Sequence, residues 1–93
     1  MKMEWDPRKA ARNLSKHEVG FEEAATVFFN PLAVIFEDEW HSESESREII
    51  IGHSADNQLL VVIFVERKDS IRIISARRAT ASEQNDYEEN TYK

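Results

Sequence analysis

Leu59 to Val65 is apolar at every position, with polar residues on both flanks. A run of strand length without a polar break predicts a strand covered on both faces, at the centre of a sheet. Two more strand patterns flank it. Arg47 to His53 has Ile49-Ile50-Ile51 at its middle, and Ile71 to Arg77 begins with alternating residues. The connections Ser54-Ala55-Asp56-Asn57 and Arg67-Lys68-Asp69-Ser70 are short and turn-forming, which requires antiparallel neighbours. Leu32 to Phe36 reads as a further short strand, and Met3-Glu4-Trp5 as a short edge strand.

Helical patterns occupy both ends. Asp6-Pro7 is a start signal, since Asp can cap and Pro is tolerated at the first helical position. The helix runs from Arg8 to about His17, with Ala10, Ala11 and Leu14 as a narrow apolar stripe. Lys16 and His17 fall in its last turn, where positive charge is favoured. Phe21, Ala24, Ala25 and Phe28 mark one buried face of a second helix over residues 21–29, stopped by Asn30-Pro31. Thr80-Ala81-Ser82-Glu83 signals a third helix, extending from Ser82 to about Glu89, with Asn90 to Lys93 frayed. It offers little to a core and depends on packing elsewhere. The resulting expectation is one α+β domain over residues 1–93: a small antiparallel sheet, two N-terminal helices and a C-terminal helix, with the helices mainly on one face.

Composition narrows the class. With no cysteine, there is no disulfide framework and no thiolate zinc site. No apolar signal region follows Lys2 and no apolar run approaches ~20 residues, so export and membrane spanning are not expected. A net charge of −6 disfavours long-range attraction to nucleic acid. The distribution is uneven, however. Residues 1–17 carry five Lys or Arg against two acids, and residues 67–78 carry five against one. The acids gather between Glu37 and Glu48, six carboxylates against Arg47 alone. The stretch from Glu37 to Glu45 reads as a solvated loop; it lacks the ligand spacing and glycine of a calcium loop.

The candidate chemistry centres on residues 71–80. Strand alternation places Ile71, Ile73, Ser75 and Arg77 on one face and Arg72, Ile74, Ala76 and Arg78 on the other. Arginines fixed at a strand end suit phosphate oxygens or carboxylates, through a planar guanidinium with paired N–H donors. The other reading is that Arg77 and Arg78 make structural salt bridges or sit in water. His17 likewise reads either as a helix-end residue or as a proton-transfer group.

Several separated motifs resemble one family. They are Glu4-Trp5-Asp6-Pro7, Lys9, Asn13, Lys16-His17, Phe21-Glu22-Glu23-Ala24, Glu45-x-Arg47, Ile51-Gly52-x-Ser54, and Arg72 to Ala79 with Glu83 and Tyr87. In this order they resemble the BrnT toxins, over roughly residues 3 to 89. Glu18 stands where family members commonly carry Gly, and Gly20 where a small polar residue precedes Phe-Glu-Glu. The resemblance implies a RelE-like fold and a cytoplasmic type II toxin–antitoxin toxin. It implies a ribonuclease that blocks translation. The implied partner is a BrnA-like antitoxin with a ribbon-helix-helix DNA-binding domain, so that DNA is reached only through the antitoxin.

Ribonuclease chemistry without metal or cofactor needs a base for the ribose 2′-OH, cations for the phosphorane-like transition state and an acid for the 5′-oxygen. Carried over position by position, the family pattern gives Lys16, His17, Arg47, Arg77, Arg78, Glu83 and Tyr87 as catalytic candidates. His17 or Glu83 would move protons, the cations would hold charge, and Tyr87 would stack on a base or donate a proton. Lys9, Arg67, Lys68 and Arg72 are candidates for RNA phosphate contacts. The other reading is a degenerate module that binds its antitoxin and cuts nothing. In both, an acidic or amphipathic antitoxin segment covers the basic surface.

Overall fold

The computed structural model describes residues 2–38 and 46–92. The chain order is β1 (Lys2–Glu4), α1 (Pro7–His17), α2 (Phe21–Thr26), a 3-10 turn (Val27–Phe29), β2 (Val34–Glu37), β3 (Arg47–His53), β4 (Leu59–Glu66), β5 (Ser70–Arg78) and α3 (Ala81–Tyr92). The five strands lie in the order β1-β5-β4-β3-β2. β4 is central, and β2 to β5 are antiparallel neighbours, while β1 pairs parallel with β5. The unbroken apolar run of β4 therefore has the place its sequence predicts. Most of the acidic segment expected as a loop, residues 39–45, lies outside the described residues.

The main core lies between the sheet and the N-terminal helices. Ile50, Leu60, Val62, Phe64, Ile73 and Ala76 point from the sheet at Val19, Phe21, Ala24 and Val27. Edge-to-face ring pairs close this layer: Trp5 on Phe21 at 5.9 Å and Phe28 on Phe64 at 4.9 Å. Gly52 is required here, because an added Cβ would lie 2.8 Å from the Ala33 Cβ. The connection entering β2 thus presses directly on β3. α3 lies over the opposite face, beside Val34, Phe36 and Ile51.

Three expectations need correction. The second helix tightens after Thr26 into a 3-10 turn. Its Thr26 hydroxyl donates back to the Glu23 carbonyl at 2.6 Å and accepts from the Ala55 N–H at 2.8 Å, which favours the tighter winding. The third helix continues to Tyr92 rather than fraying from Asn90. Of the apolar stripe of α1 only Ala10 packs against the core: Leu14 is 55% exposed and Ala11 is exposed, whereas Asn13 is buried.

Asn13 explains that inversion. β1 covers β5 only over residues 70–72, leaving the outer edge of β5 open beyond. The Asn13 amide fills the gap. Its Nδ2 donates to the Ala76 carbonyl at 2.8 Å and to the Val19 carbonyl at 2.9 Å, and its Oδ1 accepts from the Ala76 N–H at 3.1 Å. One side chain thus joins α1, the turn after it and the sheet edge.

β5 also departs from regular alternation. Ile63 pairs with Ser75 and Phe64 with Ile73, so Ile74 is an extra residue in a bulge. Beyond the bulge the faces exchange. Ile71 and Ile73 share the core face with Ala76, and Arg77 lies on the opposite face from them.

Two substitutions test these points. Asn13→Ala leaves buried groups of Ala76 unpaired and should cost about 3 kcal/mol. That is a fall in Tm of roughly 10 °C or more for a domain of this size. Glu18 ends α1 in the left-handed region at φ 58° and ψ 30°. Glu18→Gly should relieve this and add about 1 kcal/mol of stability. Both are read by thermal unfolding.

Candidate active site

α1 presents Lys9, Arg12, Asn13, Lys16 and His17 along one side. These positions are spaced i, i+3, i+4, i+7 and i+8, so a helix places them together. With Ile74 and Ser75 of β5 they line an open groove of about 280 Å³. Asp6 fixes the start of this helix, its carboxylate accepting from the Arg8 N–H at 2.8 Å. Asn13 anchors the middle, and the C-terminal turn carries Lys16 and His17. The groove therefore joins three cations, an imidazole and the Ser75 hydroxyl on a rigid mount. Arg12 and Ser75 were not among the residues singled out for chemistry. The helical spacing of 9, 12, 16 and 17 is the signal that could have identified Arg12; Ser75 needed the bulge.

A second cluster lies nearby. Arg77 follows Ser75 on the same face of β5, roughly 7 Å along the strand. Its guanidinium makes a paired contact with Glu83 of α3, at 2.7 and 2.8 Å. Glu83 also accepts from the Thr80 N–H at 2.8 Å, and its own N–H donates to the Thr80 hydroxyl at 3.2 Å. This reciprocal cap is the start signal legible in Thr80-Ala81-Ser82-Glu83. The hydrogen bond from Arg77 is the main reason that the Glu83 carboxyl is held at about 2, below its ordinary 4.5. The same hydrogen bond raises the Arg77 value. Glu83 is thus an ion-pair partner and poorly matched to proton transfer near neutrality.

Tyr87 is buried and its hydroxyl donates to the Leu32 carbonyl at 2.8 Å. His53 meets its ring edge-to-face at 5.8 Å. These contacts tether α3 to the sheet. Arg78 points to the opposite face from Arg77 and is exposed. Arg47 pairs across Val65 with Arg72, at the far end of the sheet. Arg72 is five residues from Arg77, roughly 16 Å along β5. Arg67 and Arg72 approach Glu4 at 3.9 and 4.0 Å, and Lys68 is exposed in the adjoining turn. The structure therefore brings Lys9, Lys16 and His17 together, with Arg77 and Glu83 close by. Arg47, Arg67, Lys68 and Arg72 form a separate group at the other end.

The Arg77–Glu83 pair has a pH signature. A carboxylate depressed in the folded state stabilises the fold above its unfolded value and loses that contribution as pH falls. Stability supplied by Glu83 should be full above about 4.5 and disappear as pH approaches about 2. The pair is substantially exposed, so the effect should be modest. Tm measured against pH should show this acid limb flattened in Glu83→Gln.

The chain is similar to known proteins at both levels. The model of the family described as "Ribonuclease toxin, BrnT, of type II toxin-antitoxin system" matches residues 5–83. The fold is similar to the crystal structure of the Brucella abortus ribonuclease toxin, BrnT, with a TM-score of 0.68 and 25% identity, covering 86% of this chain and 97% of that one. No curated protein sequence gives a significant match. No helix among the described residues is long and apolar enough to cross a membrane. A family match over residues 5–83, spanning the groove, the bulged strand and Glu83, shows that this chain belongs to the BrnT ribonuclease toxins of type II toxin–antitoxin systems.

Proposed function

We propose that this protein cleaves RNA without a metal ion, at the groove between α1 and β5, and thereby inhibits translation in the cytoplasm. The observation that carries the reading is the clustering of Lys9, Arg12, Lys16 and His17 along one groove. Three cations at helical spacing match a phosphodiester and its neighbours. In this reading the 2′-oxygen attacks the adjacent phosphorus, and His17 accepts its proton. The P–O bond to the 5′-oxygen breaks, and that oxygen takes a proton from an acid. The products are a cyclic phosphate and a 5′-hydroxyl. Lys16 and Arg12 stabilise the added negative charge of the phosphorane-like transition state. Arg77 contributes where the strand end meets the groove, held in orientation by Glu83. Arg47, Arg78 and Tyr87 have no part in this version of the chemistry, given where they lie.

The proposed inhibitor is a BrnA-like antitoxin with a ribbon-helix-helix domain. An acidic segment of it would cover the α1 cations and exclude RNA, and operator DNA would be contacted by the antitoxin alone. The reading of a non-cutting antitoxin-binding module has its own support: Arg77 is already paired.

RNA cleavage by the purified chain separates the two. His17→Ala should lower the cleavage rate by roughly 10²–10⁴ with little change in Tm. Arg77→Ala should lower both cleavage and Tm, and Arg77→Lys should restore little of either, since a point charge cannot match the paired geometry. A parent protein with no activity on any RNA, either in chelator or with added Mg²⁺, would favour the non-cutting module, and cleavage only with Mg²⁺ would contradict metal independence.

A further inference from the structure

A different surface, of opposite charge, lies at the β2 edge. β2 ends the sheet on the side away from β1. The Asp38 N–H donates to the Arg47 carbonyl at 2.9 Å. Hydrogen-bonded pairs alternate in an antiparallel ladder, so Phe36 and Val34 turn their backbone groups inward to β3. Those of Ile35 and Glu37 point outward from the sheet. No strand lies beyond them among the described residues.

The side chains at this edge are apolar and open to solvent. Val34 is 38% exposed, Ile35 52% and Phe36 45%; Leu32 and Phe29, just before them, reach 48% and 80%. Edge strands are usually blunted by charge, proline or a cover. Residues 34–36 carry no such protection in their own sequence.

Charge says what would fit. Glu37 lies directly across from Glu48 on one face. Like charges opposite one another destabilise a sheet. Neither has an ion pair among the described residues. On the other face Val34, Phe36 and Ile51 floor a cavity of about 250 Å³, rimmed by Glu83, Asp86, Tyr87 and Asn90 of α3. Arg77 takes up the Glu83 charge, so the α3 face is mainly apolar with Asp86 at its rim, and the uncompensated negative charge lies at Glu37 and Glu48 on the other face. A second copy of the chain would bring the same acidic segment to the seam and be repelled.

We propose that β2 is a docking edge for an extended segment of a partner protein. That segment is apolar at alternate positions and carries Lys or Arg where it passes Glu37 and Glu48. Backbone pairing to Ile35 and Glu37 supplies the attachment, and the two faces select the side chains. The surface is separate from the α1 groove and stands whether or not the groove cuts RNA.

The test uses the whole chain, labelled for amide NMR, with two synthetic nine-residue peptides: alternating Val and Arg, and alternating Val and Glu. The Val-Arg peptide should bind at least tenfold more tightly, shift the resonances of residues 34–37 and slow hydrogen exchange at Ile35 and Glu37. Ile35→Lys should weaken it at least tenfold with the circular dichroism unchanged. The double variant Glu37→Gln, Glu48→Gln should remove the preference between peptides and raise Tm of the free protein. Equal affinity for both peptides, or shifts confined to other strands or helices, would overturn the proposal. So would a concentration-dependent dimer abolished by Ile35→Lys, which would assign the edge to a second copy.

Discussion

The fold turns on one buried amide. β1 is too short to cover β5, so the strand reaches its bulge with an open edge, and Asn13 closes it. An apolar residue there would leave the Ala76 N–H and carbonyl unpaired, each a substantial penalty in a buried position. A lysine or glutamate could not supply both donor and acceptor at that distance. Because the amide also holds the Val19 carbonyl, it fixes the path of the chain out of α1. That contact, together with Ala10 packed on the core, sets α1 on the sheet and with it the groove.

The candidate surfaces divide by charge. The chain is acidic overall, yet two groups of cations stand apart, Lys9, Arg12 and Lys16 along α1 and Arg67 and Arg72 at the start of β5. One group rides on a helix anchored by Asn13; the other lies near Glu4, which tempers it. The Arg77–Glu83 pair joins the end of β5 to a polar helix whose one buried side chain among the described residues is Tyr87. Glu23 and Ser54, hydrogen-bonded at 2.6 Å, tie α2 to the β3–β4 turn in the same manner. Small polar contacts, not a large core, hold the outer elements in place, as a domain of this size requires.

The sheet was legible because its central strand has no polar residue and its turns are short. The cap of α3 was legible because Thr80 and Glu83 have the spacing of a reciprocal pair. The β5 bulge was not, since no glycine or proline marks it; only pairing with β4 shows that Ile74 is extra, and alternation alone therefore put Arg77 on the wrong face. The strand expected over Leu32 to Phe36 forms at Val34–Glu37, with Leu32 still in the turn before it, and an apolar run says nothing of whether it ends up central or at an edge. On α1, Ala10, Ala11 and Leu14 suggested an apolar face, but only Ala10 packs on the core, and the buried residue of the helix is the polar Asn13. The site residues on α1 were named from the family pattern, but their separation from Arg47, Arg67, Lys68 and Arg72 needed the strand register.

The central claim is that RNA lies along α1. Its most direct test is the salt dependence of binding to a 2′-O-methyl RNA oligonucleotide, which cannot be cleaved. Each phosphate contact contributes about 0.7 to the slope of log affinity against log salt for a single strand. The triple variant Lys9→Gln, Arg12→Gln, Lys16→Gln should lower that slope by about 2. The corresponding variant at Arg67, Lys68 and Arg72 should leave it nearly unchanged. The opposite pattern, with the slope carried by residues 67, 68 and 72, would place the RNA at the other end of the sheet and contradict the account.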